Sequence, residues 1–135
     1  MTWKSIGRGL GTAALVWAAG CNNFSALFIE NDTPIELALA LEASAPISWR
    51  FCEEESLREA EEEDPFMVGI PAESCVVIKL GEQSCADDEI GEVQSLRILQ
   101  NAVLCLEGSG RELERRFSGN CNGQVLTVTN DDCQR

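Results

Sequence analysis

The chain has no histidine and no tyrosine, and its 135 residues hold only 10 lysines and arginines against 23 aspartates and glutamates. Without histidine, the Ser-His-Asp and Cys-His catalytic arrangements, His-ligated metal sites and the usual physiological pH switch are excluded. A formal charge of −13 also argues against nucleic acid as a partner, because affinity for phosphates comes largely from lysine and arginine displacing counterions. Aromatic residues are few: beyond residue 20 they are Trp49 and five phenylalanines. A glycosidase needs two carboxylates across a sugar-binding cleft, usually with aromatic walls, and nothing here singles out such a pair. The sequence therefore reads as non-enzymatic, with no cofactor. No apolar run reaches the roughly 20 residues needed to span a bilayer.

What the chain does have begins at its start. Residues 1–20 carry Lys4 and Arg8 but no acid, followed by the small and apolar stretch Gly9 to Gly20 (GLGTAALVWAAG). This is a secretory signal in outline, too short for a spanning helix. Its removal takes two cations from 10 and none of the 23 acids, so the chain from Cys21 onward has a charge of −15. The residues at its end, Ala18-Ala19-Gly20-Cys21, resemble the lipobox of bacterial lipoproteins, in which the cysteine becomes the acylated first residue of the mature protein. The match departs from the usual pattern at Ala18, where leucine is preferred, and small residues at Ala18 and Gly20 also suit an ordinary secretory peptidase. Cysteine parity favours acylation: seven cysteines in an exported chain leave one over unless Cys21 is modified.

The resemblance implies lipidation at Cys21 with three acyl chains, where a single chain would hold only marginally and two or more anchor stably. It also implies a tether of residues 21–26 and a single domain from 27 to 135. The five from Asn22 to Ala26 reach at most about 17 Å, so the domain is expected close to the membrane. Asn22, in place of an aspartate that can signal inner-membrane retention, resembles the pattern of lipoproteins forwarded to the outer membrane.

Beyond the tether, short β-like runs alternate with turn residues. Ser25 to Glu30 leads into the turn Asn31-Asp32-Thr33-Pro34, and Ile35 to Glu42 alternates with period two, placing Ile35, Leu37, Leu39 and Leu41 on one face. Ile47, Trp49 and Phe51 share a face in the next run, with Trp49 assigned to the core. Later runs are Cys75 to Leu80, Val93 to Leu99, Ala102 to Glu107, Glu112 to Ser118 and Gln124 to Asn130. Gly108-Ser109-Gly110 and Asn122-Gly123 punctuate the last of these, suggesting an antiparallel meander. The expected fold is a small antiparallel β-sandwich or barrel. Ile90, Val93, Leu96 and Leu99 also recur every three residues, leaving a helix open over residues 89–100.

The remaining cysteines, Cys52, Cys75, Cys85, Cys105, Cys121 and Cys133, match three disulfides of an exported domain and lack the clustered pairs of a zinc site. Of the 15 pairings, Cys75–Cys85 is favoured because Gly81-Glu82 could fold the chain back. Cys121–Cys133 is disfavoured by the intervening strand. Three acidic clusters offer oxygen ligands for calcium: Glu53 to Asp64, Asp87-Asp88-Glu89 with Glu92, and Asn130-Asp131-Asp132. None follows a known calcium-loop pattern, and each reads first as a solvated, repulsive surface. Asn23-Phe24-Ser25 and Asn31-Asp32-Thr33 match the glycosylation sequon, relevant only in a eukaryotic setting. Two roles fit these features: a membrane-anchored structural or interaction lipoprotein, or an acidic module that binds a cationic protein, such as a lysozyme-like hydrolase, through its long-range field.

Overall fold

The computed structural model describes residues 24–60 and 65–134; the leader and Cys21 lie outside them. The described residues form β1 Ala26–Asp32, β2 Leu37–Ala43, β3 Ile47–Phe51, β4 Arg58–Glu59, β5 Phe66–Ile70, β6 Cys75–Leu80, β7 Val93–Gln100, β8 Val103–Gly108, β9 Phe117–Asn120 and β10 Gly123–Thr129. Helix α1, Ala86–Glu92, separates β6 from β7, and the one-turn helix α2, Asn130–Cys133, follows β10. One sheet has six strands in the order β4-β3-β6-β1-β10-β9, and the other has four in the order β5-β2-β7-β8. The domain is thus an all-β, two-sheet structure, as the alternation implied.

Period-two patterning builds the core. Leu37, Leu39 and Leu41 of β2 point to one side and meet Leu27 and Ile29 of β1, Val76, Ile78 and Leu80 of β6, and Leu126 and Val128 of β10. Each such side chain stabilises the fold by roughly 1.5–3 kcal/mol relative to exposure. Ile35, expected on the same face, precedes the strand and is 41% exposed. β6 runs between β3 and β1, so Cys75 and Val77 on its other face are buried too. Ser25 is already buried and β1 opens at Ala26, one residue before the expected domain start.

Three expectations are corrected. The C-terminal third is not a simple meander: β7 and β8 pair in the four-stranded sheet, whereas β9 and β10 pair in the six-stranded one, and β10 runs parallel to β1. The chain crosses between sheets at Ser109 to Arg116, so residues 112–118 do not form one strand. A turn and a short 3₁₀ helix, Glu114–Arg116, precede β9. At that crossing Gly110 donates to the Val93 carbonyl at 2.9 Å, and any β-carbon at 110 would collide with the Ile90 carbonyl. The stretch 89–100 is divided: Ala86, Glu89 and Ile90 bury one helical face, and the backbone becomes extended at Val93. From there Leu96 and Ile98 alternate inward in β7.

The third correction concerns the disulfides, which join Cys52–Cys75, Cys85–Cys121 and Cys105–Cys133. The expected Cys75–Cys85 pair fails because β6 is extended. Its six residues span about 20 Å and put Cys75 at one end of the sandwich, while Cys85 enters α1 at the other. Cys121 and Cys133 stand apart across β10, as the intervening strand required.

The β7–β8 turn is strained. Gln100 pairs with Val103 across the two-residue loop Asn101-Ala102, whose φ angles are 51° and 68°. Such a turn needs two left-handed residues and favours glycine second, whereas alanine there bears a Cβ clash worth about 1–2 kcal/mol. After the entropy that glycine adds to the unfolded chain is subtracted, Ala102→Gly is expected to stabilise the domain by about 0.5–1 kcal/mol. A melting temperature that falls in this variant would contradict the turn geometry.

Candidate functional site

The two ends of the sandwich are organised by buried polar residues. At the end where β1 begins, α1 closes the space between the sheets. Cys85–Cys121 and a 2.7 Å bond from the Ala86 N–H to the Cys121 carbonyl tie its start to the β9–β10 hairpin. Ala86 and Ile90 pack into the core, which carries Glu89 to a fully buried position between them and β6. Its Oε1 accepts the Leu80 N–H at 2.8 Å, and its Oε2 accepts the Ser25 hydroxyl at 2.5 Å and Lys79 Nζ at 3.2 Å. Lys79 also donates to Ser25 Oγ at 3.0 Å and to the Gln83 carbonyl at 2.5 Å.

Burial pushes the Glu89 carboxyl above its usual range, even though Ser25, the Leu80 N–H and Lys79 pull the other way. Ser25 is buried and its proton is committed to Glu89, so the hydroxyl serves as a brace rather than an exposed nucleophile. The cluster joins the strand entrance to β6 and α1, four residues beyond Cys21. A carboxyl whose pKa is raised by folding favours the folded state most when protonated, and that contribution fades as pH rises through the folded pKa. The stability of the native protein relative to Glu89→Gln is therefore expected to improve between pH 7 and the ordinary carboxylate range. Urea unfolding of both at pH 7 and pH 5 measures this, and a difference that moves the other way would contradict the assigned shift.

At the opposite end, Asn31 is fully buried. Its Nδ2 donates to the carbonyls of Ile35 at 2.9 Å, Ile70 at 2.9 Å and Pro71 at 3.0 Å, and its Oδ1 accepts the Thr33 N–H at 3.0 Å and the Thr33 hydroxyl at 2.7 Å. Gln100 Nε2 reaches Thr33 Oγ1 at 3.2 Å, and the Asn31 N–H meets the Ser74 carbonyl at 2.8 Å. One side chain thereby fastens loops 32–36 and 70–74, and through Thr33 it reaches loop 100–103. The sequence marked 31–34 as a turn, and the Asn-x-Thr spacing was the available signal for a side chain folded onto its own backbone. The same burial removes Asn31 as a glycan acceptor.

Above this floor the loops expose Pro34, Ile35, Pro71, Ala72, Ala102 and Val103. Ile35 and Val103, at 41% and 42%, are two of the four exposed large apolar side chains among the described residues, the others being Phe24 and Met67. The three loops contain Asp32, Glu36 and Glu73 but no lysine or arginine.

The other sequence candidates are placed differently. Trp49 is half-buried at the margin of the core, with Phe51 and Phe66 at ring distances of 5.2 and 5.5 Å and Arg58 stacked over it at 4.4 Å. Glu54 accepts the Phe51 N–H and pairs with Arg58, which together hold its carboxyl below the usual range. The acids weighed as oxygen ligands, which read first as a solvated surface, have structural tasks where their bonds are seen: Glu89 turns inward, Asp87 accepts Gln124 Nε2 at 2.7 Å, and Asp132 caps α2 through the Thr129 N–H at 2.9 Å. Burial raises the Asp132 carboxyl, but bonds from Arg116 and Thr129 outweigh it, and the net shift is downward. A shallow depression of about 300 Å³ is lined in part by Asp87 and Glu114. Both already have partners, Gln124 and Arg111. Among the described residues no three acidic or cysteine side chains converge on a common point as metal ligands would. Comparison of the chain with family models, curated proteins and solved structures returned no match.

Proposed function

We propose that this chain is a lipid-anchored protein of the bacterial envelope, placed at the outer membrane, whose β domain acts by contact rather than by catalysis. The observation that carries the reading is the cysteine pattern: the six described cysteines are all paired in disulfides, while the seventh, Cys21, directly follows an apolar leader. Complete pairing fits an oxidising compartment, and the remaining thiol is the one a lipobox would acylate. The buried Ser25 and Glu89 give such an anchor a firm point of attachment.

Intact mass of the mature protein, with and without reduction, tests this. The expected result is a chain starting at Cys21 with added acyl mass that gains six hydrogens on reduction. A bare Cys21 would overturn the anchor, and free thiols in the native material would overturn the compartment. The charge of −15 supports a second reading, binding to a cationic protein. Affinity for a basic lysozyme should then fall steeply with salt, and no binding at low salt would end it.

A further inference from the structure

We propose that the three-loop tip around Asn31 is the docking surface of the domain, and that its partner is a protein presenting an apolar spot bordered by lysine or arginine. This deepens the contact function proposed above and rests on it. Three observations converge here. The tip brings together three loops, joined through Asn31 and Thr33, that each expose an apolar side chain, Ile35, Pro71 and Val103 among them. The loops are pre-organised by a saturated buried side chain, so little ordering entropy is lost on association. The Ala102 backbone is left-handed, a strained conformation of the kind that concentrates at functional sites.

Charge selects the occupant. The loops offer Glu36 and Glu73 with no basic residue of their own, so a second copy would bring like charges together, and an anionic lipid surface would be repelled as well. A basic rim around an apolar centre satisfies both parts of the tip. Its location suits the role. β1 runs from Ala26, next to Ser25, to Asp32 at the tip, and its seven extended residues span about 23 Å. A domain anchored through its N terminus therefore presents this end away from the bilayer.

The test uses the full mature chain in non-ionic detergent and an alternating Arg-Leu hexapeptide as the probe, followed by amide chemical shifts. Shifts should centre on residues 32–36, 70–74 and 100–103. The double variant Ile35→Ser/Val103→Ser should bind about tenfold more weakly with an unchanged melting temperature, and an Arg-Ser hexapeptide should lose a similar factor. Shifts centred elsewhere, equal binding by the Arg-Ser peptide, or concentration-dependent self-association through these loops would each overturn the proposal. Mass measured on the same preparation separates the two readings. An acylated chain with a silent tip sinks the docking surface alone, and a tip that binds on a chain with a bare Cys21 sinks the anchor alone.

Discussion

Reduction of the three disulfides is expected to abolish the folded state at 37 °C. The bridges close loops with sequence separations of 23, 36 and 28 residues, each worth about 3–4 kcal/mol on the loop-entropy account. Together they rival the entire net stability of a domain this size, about 5–15 kcal/mol. Their placement amplifies the effect. Cys52–Cys75 pins the end of β3 to β6, Cys85–Cys121 fastens α1 over the open end of the core, and Cys105–Cys133 fixes the chain's last helix to β8. Without the second bridge, α1 loses the hold that keeps Glu89 against Lys79. Urea unfolding of oxidised and reduced, alkylated protein, followed by far-ultraviolet circular dichroism, measures this. An unchanged midpoint would mean that the sheets alone suffice.

Replacing Asn31 by alanine is expected to remove about 3 kcal/mol or more. The substitution removes the amide from the carbonyls of Ile35, Ile70 and Pro71 and the acceptor from the Thr33 N–H; Ile35 keeps the Thr33 hydroxyl, but the bonds to the Ile70 carbonyl and from the Thr33 N–H are buried, and an unsatisfied buried polar group costs about 1–3 kcal/mol. Asn31→Asp should also destabilise, because a carboxylate cannot donate to the carbonyls that the amide serves. Hydrogen exchange should quicken in loops 32–36 and 70–74 in both variants, while the amides of β6 and β10 change only with global stability. A wild-type urea midpoint in Asn31→Ala would show that the network contributes nothing to the fold.

The parts of this fold that were legible in the sequence are those set by local alternation. Leu37, Leu39 and Leu41 announce β2, Cys75 to Leu80 is β6 to the residue, and Gln124 to Asn130 overlaps β10. β5 escaped because Phe66–Ile70 contains Met67 and Gly69 between Pro65 and Pro71, so no clear pattern survives in five residues. The triplet spacing from Ile90 to Leu99 carried both a helix and a strand, and the break between them is set by packing against Gly110. Pairing between distant segments was not readable: the β1–β10 ladder joins Ala26 to Gly123 within one sheet, and the disulfides join residues 23, 36 and 28 positions apart. Local sequence holds no record of those registers.

The tip and the Glu89 cluster divide in the same way. Asn31 and Thr33 could be seen as a turn, but their grip on Pro71 and Gln100 depends on how distant loops come together. Glu89 looked like one acid of a surface run, and only the turn of α1 toward the core reveals it as an interior brace. Acidic composition gave no hint that Glu30 and Glu89 are buried.

The parallel alignment of the first and last strands has a mechanical meaning. Ala26 through Asp32 lie in register with Gly123 through Thr129, so a pull that draws the N terminus away from the C terminus drags β1 lengthwise along its neighbour. All the hydrogen bonds of that ladder then resist at once, whereas a hairpin opened from its end would surrender them one by one. With Cys133 stitched to β8 and Cys85 to Cys121, tension entering near Ser25 spreads into both sheets instead of peeling a margin. A load applied between Ser25 and α2 would in this way run along the shear direction of the β1–β10 ladder.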